Sequence, residues 1–381
     1  MIPAPALDRQ APLPGRRGRL APTPTGLLHV GHARTFAVAA ARAGAAGLVL
    51  RIEDLDAPRC REEFVAAAID DLRWLGLSWT EGPDVGGPSA PYRQSERGSW
   101  FLDVWRRLEA AGVIYPSPHS RRDVEEAATA PHATDSEPIF PPSLRPRWVD
   151  RADHPGGVAW RFRVPDGRTI SFPDPLAGDP ATGLVHRTAG VDFGDFVIWR
   201  RDDLAAYELA VVADDHAMGI EEVVRGADLL TSTARQILLA EALRWPSPAF
   251  CHVALVCDSS GQRLAKRSGG LAIAELRRRG QSPAEVLAAP LEKLLAPASK
   301  KSAKASLATS PTPAPASPNS LALPPRISSP PSSLSATPSP SNAPPPSRSP
   351  TAHTSNDTPP RKTTATPSNL TAHEHPTHLH P

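Results

Sequence analysis

The sequence has little with which to cross-link itself. Its 381 residues contain three cysteines, Cys60, Cys251 and Cys257. No CxxC pair or Cys/His cluster is present, so neither a disulfide framework nor a structural zinc site is suggested. Three thiols fit a reducing, cytoplasmic compartment. No run of 18 apolar residues exists, which predicts no membrane contact. Residues 1–16 have no apolar stretch of signal-peptide length and read as a flexible N-terminus. Charge of one sign is also missing: 42 basic residues face 40 acidic ones, a formal net charge of +2.

Proline is what abounds. There are 46 prolines, about 12% of the chain against a usual share of about 5%. Twenty of them fall in 296–381. That stretch is Pro, Ser, Thr and Ala without an apolar period, too poor in burial to offset chain entropy, and it is expected to be a disordered tail. It also takes seven of the basic residues and only two of the acidic ones, leaving 35 against 38 in the remainder. Bulk charge therefore gives no sign of nucleic-acid binding in the foldable part, and an RNA partner must be met by a local patch.

The foldable chain alternates. A strand at 18–21 runs through a Pro/Thr/Gly turn into an Ala-rich helix at 30–43. A short apolar run at 48–52 reads as a buried parallel strand, followed by helices at 62–75 and 98–111. This order argues for an α/β fold with a doubly wound parallel sheet. Residues 112–190 are dense in Pro and Gly with short alternating runs, an inserted β-rich subdomain. Beyond it come a strand at 193–199, a helical or extended stretch at 207–212, a strand at 221–225, a helix at 231–243 capped by Thr231 or Ser232, a strand at 250–256 and two short helices. The predicted organisation is a catalytic domain of 17–111 with 191–290, interrupted by 112–190.

Two stretches carry chemistry. In "APTPTGLLHVGH" (21–32) His29 and His32 sit at a helix start, where unpaired N–H groups and a partial positive charge suit phosphate. Imidazoles there can donate to oxygens that gain charge during displacement at phosphorus. In "GQRLAKRS" (261–268) Arg263, Lys266 and Arg267 lie on a glycine-flanked loop that could close over a triphosphate. Taken singly, both also read as ordinary surface features. Asp214, Asp215 and His216 are adjacent but do not converge as metal ligands would, and a structural role is expected. Trp74, Trp79, Trp100 and Trp105 read as packing. The histidines His373, His375, His378 and His380 read as adventitious.

Together, "HVGH" and "RLAKR" resemble the paired HIGH and KMSKS signatures of class I aminoacyl-tRNA synthetases. "RLAPTPTGLLHVGH" (19–32), "RIEDLD" (51–56) and "YELAVVADDHAMGIEEVVRGADLLTSTARQ" (207–236) are similar to motifs of the glutamate branch. The short ordered chain after Gly270 resembles the stand-alone glutamyl-Q tRNA(Asp) synthetases, not glutamyl-tRNA synthetases with their large anticodon-binding region. The resemblance implies a Rossmann-like catalytic domain that activates L-glutamate with ATP without tRNA, then transfers it to the queuosine base of tRNA(Asp). The alternative is a truncated glutamyl-tRNA synthetase charging a tRNA 3′ end; a non-catalytic relic is a second.

The resemblance also implies roles. Arg19, Ala21, Thr23, Glu53, Tyr207 and Arg225 would bind glutamate, with Glu53 accepting from its ammonium. Pro22, His29, Gly31, His32, Arg263 and Lys266 would bind ATP. His29, His32 and Lys266 would be catalytic. ATP would arrive with Mg²⁺ held mostly by phosphates and water, and the enzyme would act as a monomer. Many family members carry zinc in the insert on a CxC pair, a Tyr and a later Cys. Here Ser117 and His119 stand at the pair, and Phe140 and Ser143 follow, so no zinc is expected. Arg263, Leu264 and Ala265 depart from KMSKS; Lys266 survives.

Overall fold

The computed structural model describes residues 15–127, 138–256 and 272–288. Most of the tail's neighbourhood is thereby excluded: residues 1–14, the loop bearing Arg263 and Lys266, Cys257 and all of 296–381 lie outside the described residues.

Strand β1 (Gly18–Leu20) leads to α1 (Val30–Ala43), β2 (Leu48–Leu50), α2 (Glu62–Trp74) and α3 (Gly98–Ala110). β1 and β2 pair in parallel, Arg19 opposite Val49. The same pattern recurs later, where β8 (Glu222–Gly226) runs through α6 (Leu230–Leu243) to β9 (Ala249–Val253), again parallel. β1 and β2 are buried along their length, and β8 and β9 are buried except at their ends, as short apolar runs between helices should be. Leu20, Leu50, Val30, Ala33, Leu72, Val224 and Cys251 share one core cluster.

The structure contains two parallel pairs where the sequence predicts one sheet. β1 and β8 do lie side by side, and the Glu222 N–H donates to the Arg17 carbonyl at 3.2 Å. One step on, the Arg19 guanidinium takes the Val224 carbonyl at 2.9 Å. A side chain there supplies the donor that a backbone ladder would have supplied.

Between the two halves come β3 (Ile114–Ser117), α4 (Arg121–Ala127), β4 (Ala159–Phe162), β5 (Thr169–Pro173) and β6 (Leu184–Thr188), then β7 (Phe196–Trp199) and α5 (Tyr207–Ala217). β5 and β6 form an antiparallel pair with Ile170 and Phe172 inward and Thr169, Ser171 and Pro173 outward. β3, β4 and β7 form a second antiparallel sheet. β7 lies past residue 190, so this sheet draws strands from both sides of the boundary read from composition. Trp105 of α3 meets Trp160 of β4 edge to face, centroids 4.8 Å apart, which welds the insert to α3.

The stretch from Tyr207, which the sequence leaves as helical or extended, is helical, and Leu209 through Asp215 are all buried, so it shows no amphipathic period. One detail differs from expectation. Helix α6 starts at Leu230 without a side-chain cap, so neither Thr231 nor Ser232 caps it. A tight 3-10 turn, Ala227–Leu229, feeds its first turn instead. α7 (Ile273–Arg278) and α8 (Pro283–Ala288) end the described chain. Among the described residues no helix is long and apolar enough to cross a membrane.

Candidate active site

His29 is the N-cap of α1, with an extended backbone (φ −123°, ψ 172°). Its Nδ1 accepts the Gly31 N–H at 3.1 Å, and the His32 Nδ1 accepts the His29 N–H at 3.3 Å. This is a reciprocal capping box built from two histidines. Because both Nδ1 atoms accept, the proton of each neutral ring is placed on Nε2. The rings lie 3.8 Å apart, tilted by 32°. Gly31 lies close against the first ring: a Cβ there would sit 2.9 Å from His29 Cε1, so the ring would have to shift.

A cavity of about 400 Å³ opens beside this turn. Arg19, Ala21, Thr23, His29, Gly31, His32, Glu53, Tyr207 and Arg225 all line it. Pro22 does not; its carbonyl accepts the Glu53 N–H at 3.1 Å and so holds the neighbouring carboxylate segment in place. Thr35, Phe36 and Asp228 also line the cavity and were not anticipated. Tyr207 is 38% exposed, so it is not a core residue. A second cavity, about 440 Å³, lies by Trp245 and contains none of the expected site residues.

The cavity floor is a charge network. Arg51 is fully buried and donates from Nη1 to Asp215 Oδ1 at 2.6 Å and from Nη2 to Glu53 Oε1 at 3.0 Å. Burial opposes its charge, but Asp215 and Glu53 outweigh that and raise its pKa. Arg19 is 4% exposed; burial is the largest influence on it and lowers its pKa. Its Nε lies 3.8 Å from Asp215 Oδ1 and has no hydrogen-bond partner among the described residues. Arg225, equally buried, donates to Gln236 Oε1 at 2.9 Å, Thr233 Oγ1 at 2.6 Å and His252 Nε2 at 3.3 Å. All three partners are uncharged acceptors. Two buried guanidinium groups thus face one cavity, and among the described residues no carboxylate is hydrogen-bonded to either.

Asp214 and His216 point elsewhere. Asp214 pairs with Arg97 at 2.6 Å and Gln94 at 3.0 Å, and His216 stacks on Trp245 at 4.0 Å. The run of three polar residues is split by helical geometry into three separate contacts.

Both described ends of the 257–271 segment border the histidine turn. Val256 lines the cavity. Ala272 forms an antiparallel bridge with His29, and the Ile273 N–H donates to the Leu28 carbonyl at 2.9 Å. Arg263 and Lys266 themselves lie outside the described residues.

The residues at the insert's expected zinc positions do not fit a metal. The Arg161 Nε donates to Ser117 Oγ at 3.2 Å, and its guanidinium lies 4.4 Å over the Phe140 ring. A fixed cation among non-ligating side chains repels a second one. Among the described residues no group of three His, Cys, Asp or Glu could hold a metal ion.

Comparison with known proteins agrees with this geometry. Residues 17–303 match the family model of tRNA synthetases class I (E and Q), catalytic domain. The chain is 46% identical over 281 residues to a glutamyl-Q tRNA(Asp) synthetase of Symbiobacterium thermophilum, covering 71% of this chain and 84% of that one. It is 43% identical to the protein of the same name from Nitratidesulfovibrio vulgaris, covering 71% and 83%. It is 42% identical to glutamate–tRNA ligase 1 of Halorhodospira halophila, but covers only 56% of it. Among solved structures, the glutamate–tRNA synthetase of Elizabethkingia anophelis aligns with a TM-score of 0.56 at 29% identity, over 67% of this chain and 53% of that one. The chain thus spans about half the length of that solved relative. It belongs to the class I tRNA synthetases of the E and Q type, through their catalytic domain.

Proposed function

We propose that the cavity binds L-glutamate and ATP side by side, forms glutamyl-adenylate without tRNA, and passes the glutamyl group to the queuosine base of tRNA(Asp). The observation that carries this reading is convergence. Arg19, Glu53, Tyr207 and Arg225 come from four separate segments and line the same cavity as His29 and His32.

Glutamate has two carboxylates and one ammonium. Arg19 and Arg225, neither hydrogen-bonded to a carboxylate, take the carboxylates. Glu53, steadied by Arg51, takes the ammonium through its remaining oxygen. A neutral glutamine amide would leave one guanidinium without its anion, which is a source of selectivity. Ala21 and Thr23 shape the wall, and Tyr207 closes the mouth. Gly31, His29 and His32 form the ATP side, with Pro22 supporting it from outside the cavity wall and Arg263 and Lys266 as phosphate contacts. In this reading residues 17–111 and 191–290 are the Rossmann-like catalytic part and 112–190 the insert.

The chemistry needs no protein nucleophile. An oxygen of the glutamate α-carboxylate bonds to the α-phosphorus, the bond to the bridging oxygen breaks, and pyrophosphate leaves with that electron pair. In this reading the two imidazoles at the N-terminus of α1 stabilise charge that grows on phosphate oxygens. ATP enters as its Mg²⁺ complex, a substrate held chiefly through its own phosphates.

Coverage favours transfer to queuosine over charging of a tRNA 3′ end. The match spans 83–84% of two glutamyl-Q relatives and 56% of a glutamate–tRNA ligase. The test is glutamate-dependent ATP–pyrophosphate exchange without RNA, followed by glutamate incorporation into tRNA(Asp) with and without queuosine. Exchange that requires tRNA, or incorporation that ignores the modified base, would overturn the reading. Lys266→Ala is expected to abolish exchange.

A further inference from the structure

Arg225 of β8 and His252 of β9 are register partners in a parallel pair, so their side chains share one face. His252 is 1% exposed and touches two polar neighbours besides Arg225. Its Nδ1 lies 2.6 Å from Asp174 Oδ2, and its Nε2 lies 2.9 Å from Thr233 Oγ1 and 3.3 Å from Arg225 Nε. Asp174 follows β5 in the inserted region. Its carboxylate also accepts the backbone N–H groups of Leu176 at 2.9 Å, Ala177 at 2.8 Å and His252 at 3.0 Å.

For a neutral imidazole the donor count favours one arrangement. A guanidinium can only donate, so the Arg225 Nε–H needs an acceptor at His252 Nε2. A carboxylate can only accept, so the imidazole proton belongs on Nδ1, facing Asp174. Burial opposes charge at Asp174, but the hydrogen bonds from His252, Leu176 and Ala177 outweigh it and hold its carboxyl below the usual range. Burial likewise lowers His252 below the usual imidazole range and keeps it neutral at pH 7.

We propose that Asp174 and His252 are positioning residues of the glutamate pocket: Asp174 sets the tautomer of His252, and His252 holds the Arg225 guanidinium in the plane from which it meets a substrate carboxylate. Three of the five N–H groups of Arg225 are spent on His252, Thr233 and Gln236. One on each terminal nitrogen is left for the ligand. Loss of the Nε acceptor lets the fork rotate, and a bidentate contact tolerates little rotation. The insert thereby reaches the amino-acid site through the Asp174 carboxylate. This rests on Arg225 binding glutamate, as proposed above.

Exchange kinetics on the full chain separate the possibilities. His252→Leu and Asp174→Asn are expected to raise the glutamate KM by about tenfold or more and to narrow the preference for glutamate over glutamine, while the ATP KM stays within about threefold. His252→Gln, which can restore an acceptor near Nε2, is expected to recover most of the loss. Equal damage in His252→Gln and His252→Leu, or parallel changes in both KM values, would overturn the proposal. Arg225→Lys with an unchanged glutamate KM would instead show that Arg225 is not a glutamate contact, and both readings would fall. An impaired Arg225→Lys beside an unimpaired His252→Leu would remove only the role of His252. Imidazole nitrogen NMR of the unmutated protein, with His252 assigned by its loss in His252→Gln, gives a reading independent of how the variants fold. A proton on Nδ1 at pH 7.5 is expected, and a proton on Nε2 would overturn the assignment.

Discussion

Arg19 and Arg225 are joined through one peptide group: the Arg19 Nη1 donates at 2.9 Å to the carbonyl of Val224, the residue immediately before Arg225. Two buried cations are therefore held on adjacent strand ends by neutral or distant partners. Such an arrangement is costly unless an anion completes it. A dicarboxylate is the ligand that would complete both.

Arg19→Lys tests that relationship. An ammonium keeps the charge but cannot serve the Val224 carbonyl and a carboxylate from one planar fork. The glutamate KM in exchange should rise by about tenfold or more, with the ATP KM unchanged. Equal effects on both substrates would show that Arg19 supports the cavity without reading glutamate.

Arg51 is predicted to matter for folding. It hydrogen-bonds both Asp215 and Glu53, and it is fully buried. Arg51→Met should cost about 3–5 kcal/mol in urea unfolding, because both buried carboxylates lose their hydrogen-bonded cation and Asp215 keeps only the 3.8 Å approach of Arg19. Asp215→Asn with Arg51→Met should cost less than the sum of the single changes.

Gly31→Ala separates activity from stability. The added methyl would meet the end of the His29 ring at 2.9 Å, and a ring can swing away. Exchange should fall by at least about tenfold, since a misplaced donor loses its aim at phosphate. The melting temperature should change by no more than a few degrees, about what a partly weakened cap gives.

Asp71 on α2 predicts a pH effect. It is 2% exposed, and its Oδ2 has no hydrogen-bond partner. Burial, helped by Asp70 and opposed by Arg277, raises its carboxyl from 3.8 to about 6. The folded state thus prefers the protonated acid. Its stabilising contribution is full below about pH 4 and is lost as pH rises through about 6. Asp71→Asn should therefore stabilise the protein by about 1–3 kcal/mol at pH 8 and by little at pH 4. Urea unfolding at the two pH values reads the difference, and a gain that does not depend on pH would contradict it.

Local pattern made much of this protein legible. The Ala-rich stretch from Val30 to Ala43 and the spacing of Phe64, Ala68, Leu72 and Leu75 point to helices without tertiary help, and the helices form there. The histidine turn reads as a helix start because a Pro/Thr/Gly run cannot continue a strand. The stretch from Tyr207 was ambiguous, because a segment buried on every side shows no period. The sheet of β3, β4 and β7 draws on both sides of the boundary that composition places at residue 190, because backbone pairing is not set by composition.

By itself the amino-acid order determined the kinds of element and the phosphate-type turn, because backbone preference and short-range capping act within a few residues; resemblance of motifs added half of the cavity-lining residues. Only the folded chain decided which charges neutralise one another: Asp215 was taken by Arg51, while Arg225 was left with Thr233, Gln236 and His252. Those pairings join residues far apart in sequence, and the strand register that brings His252 opposite Arg225 is set by packing that no local window contains.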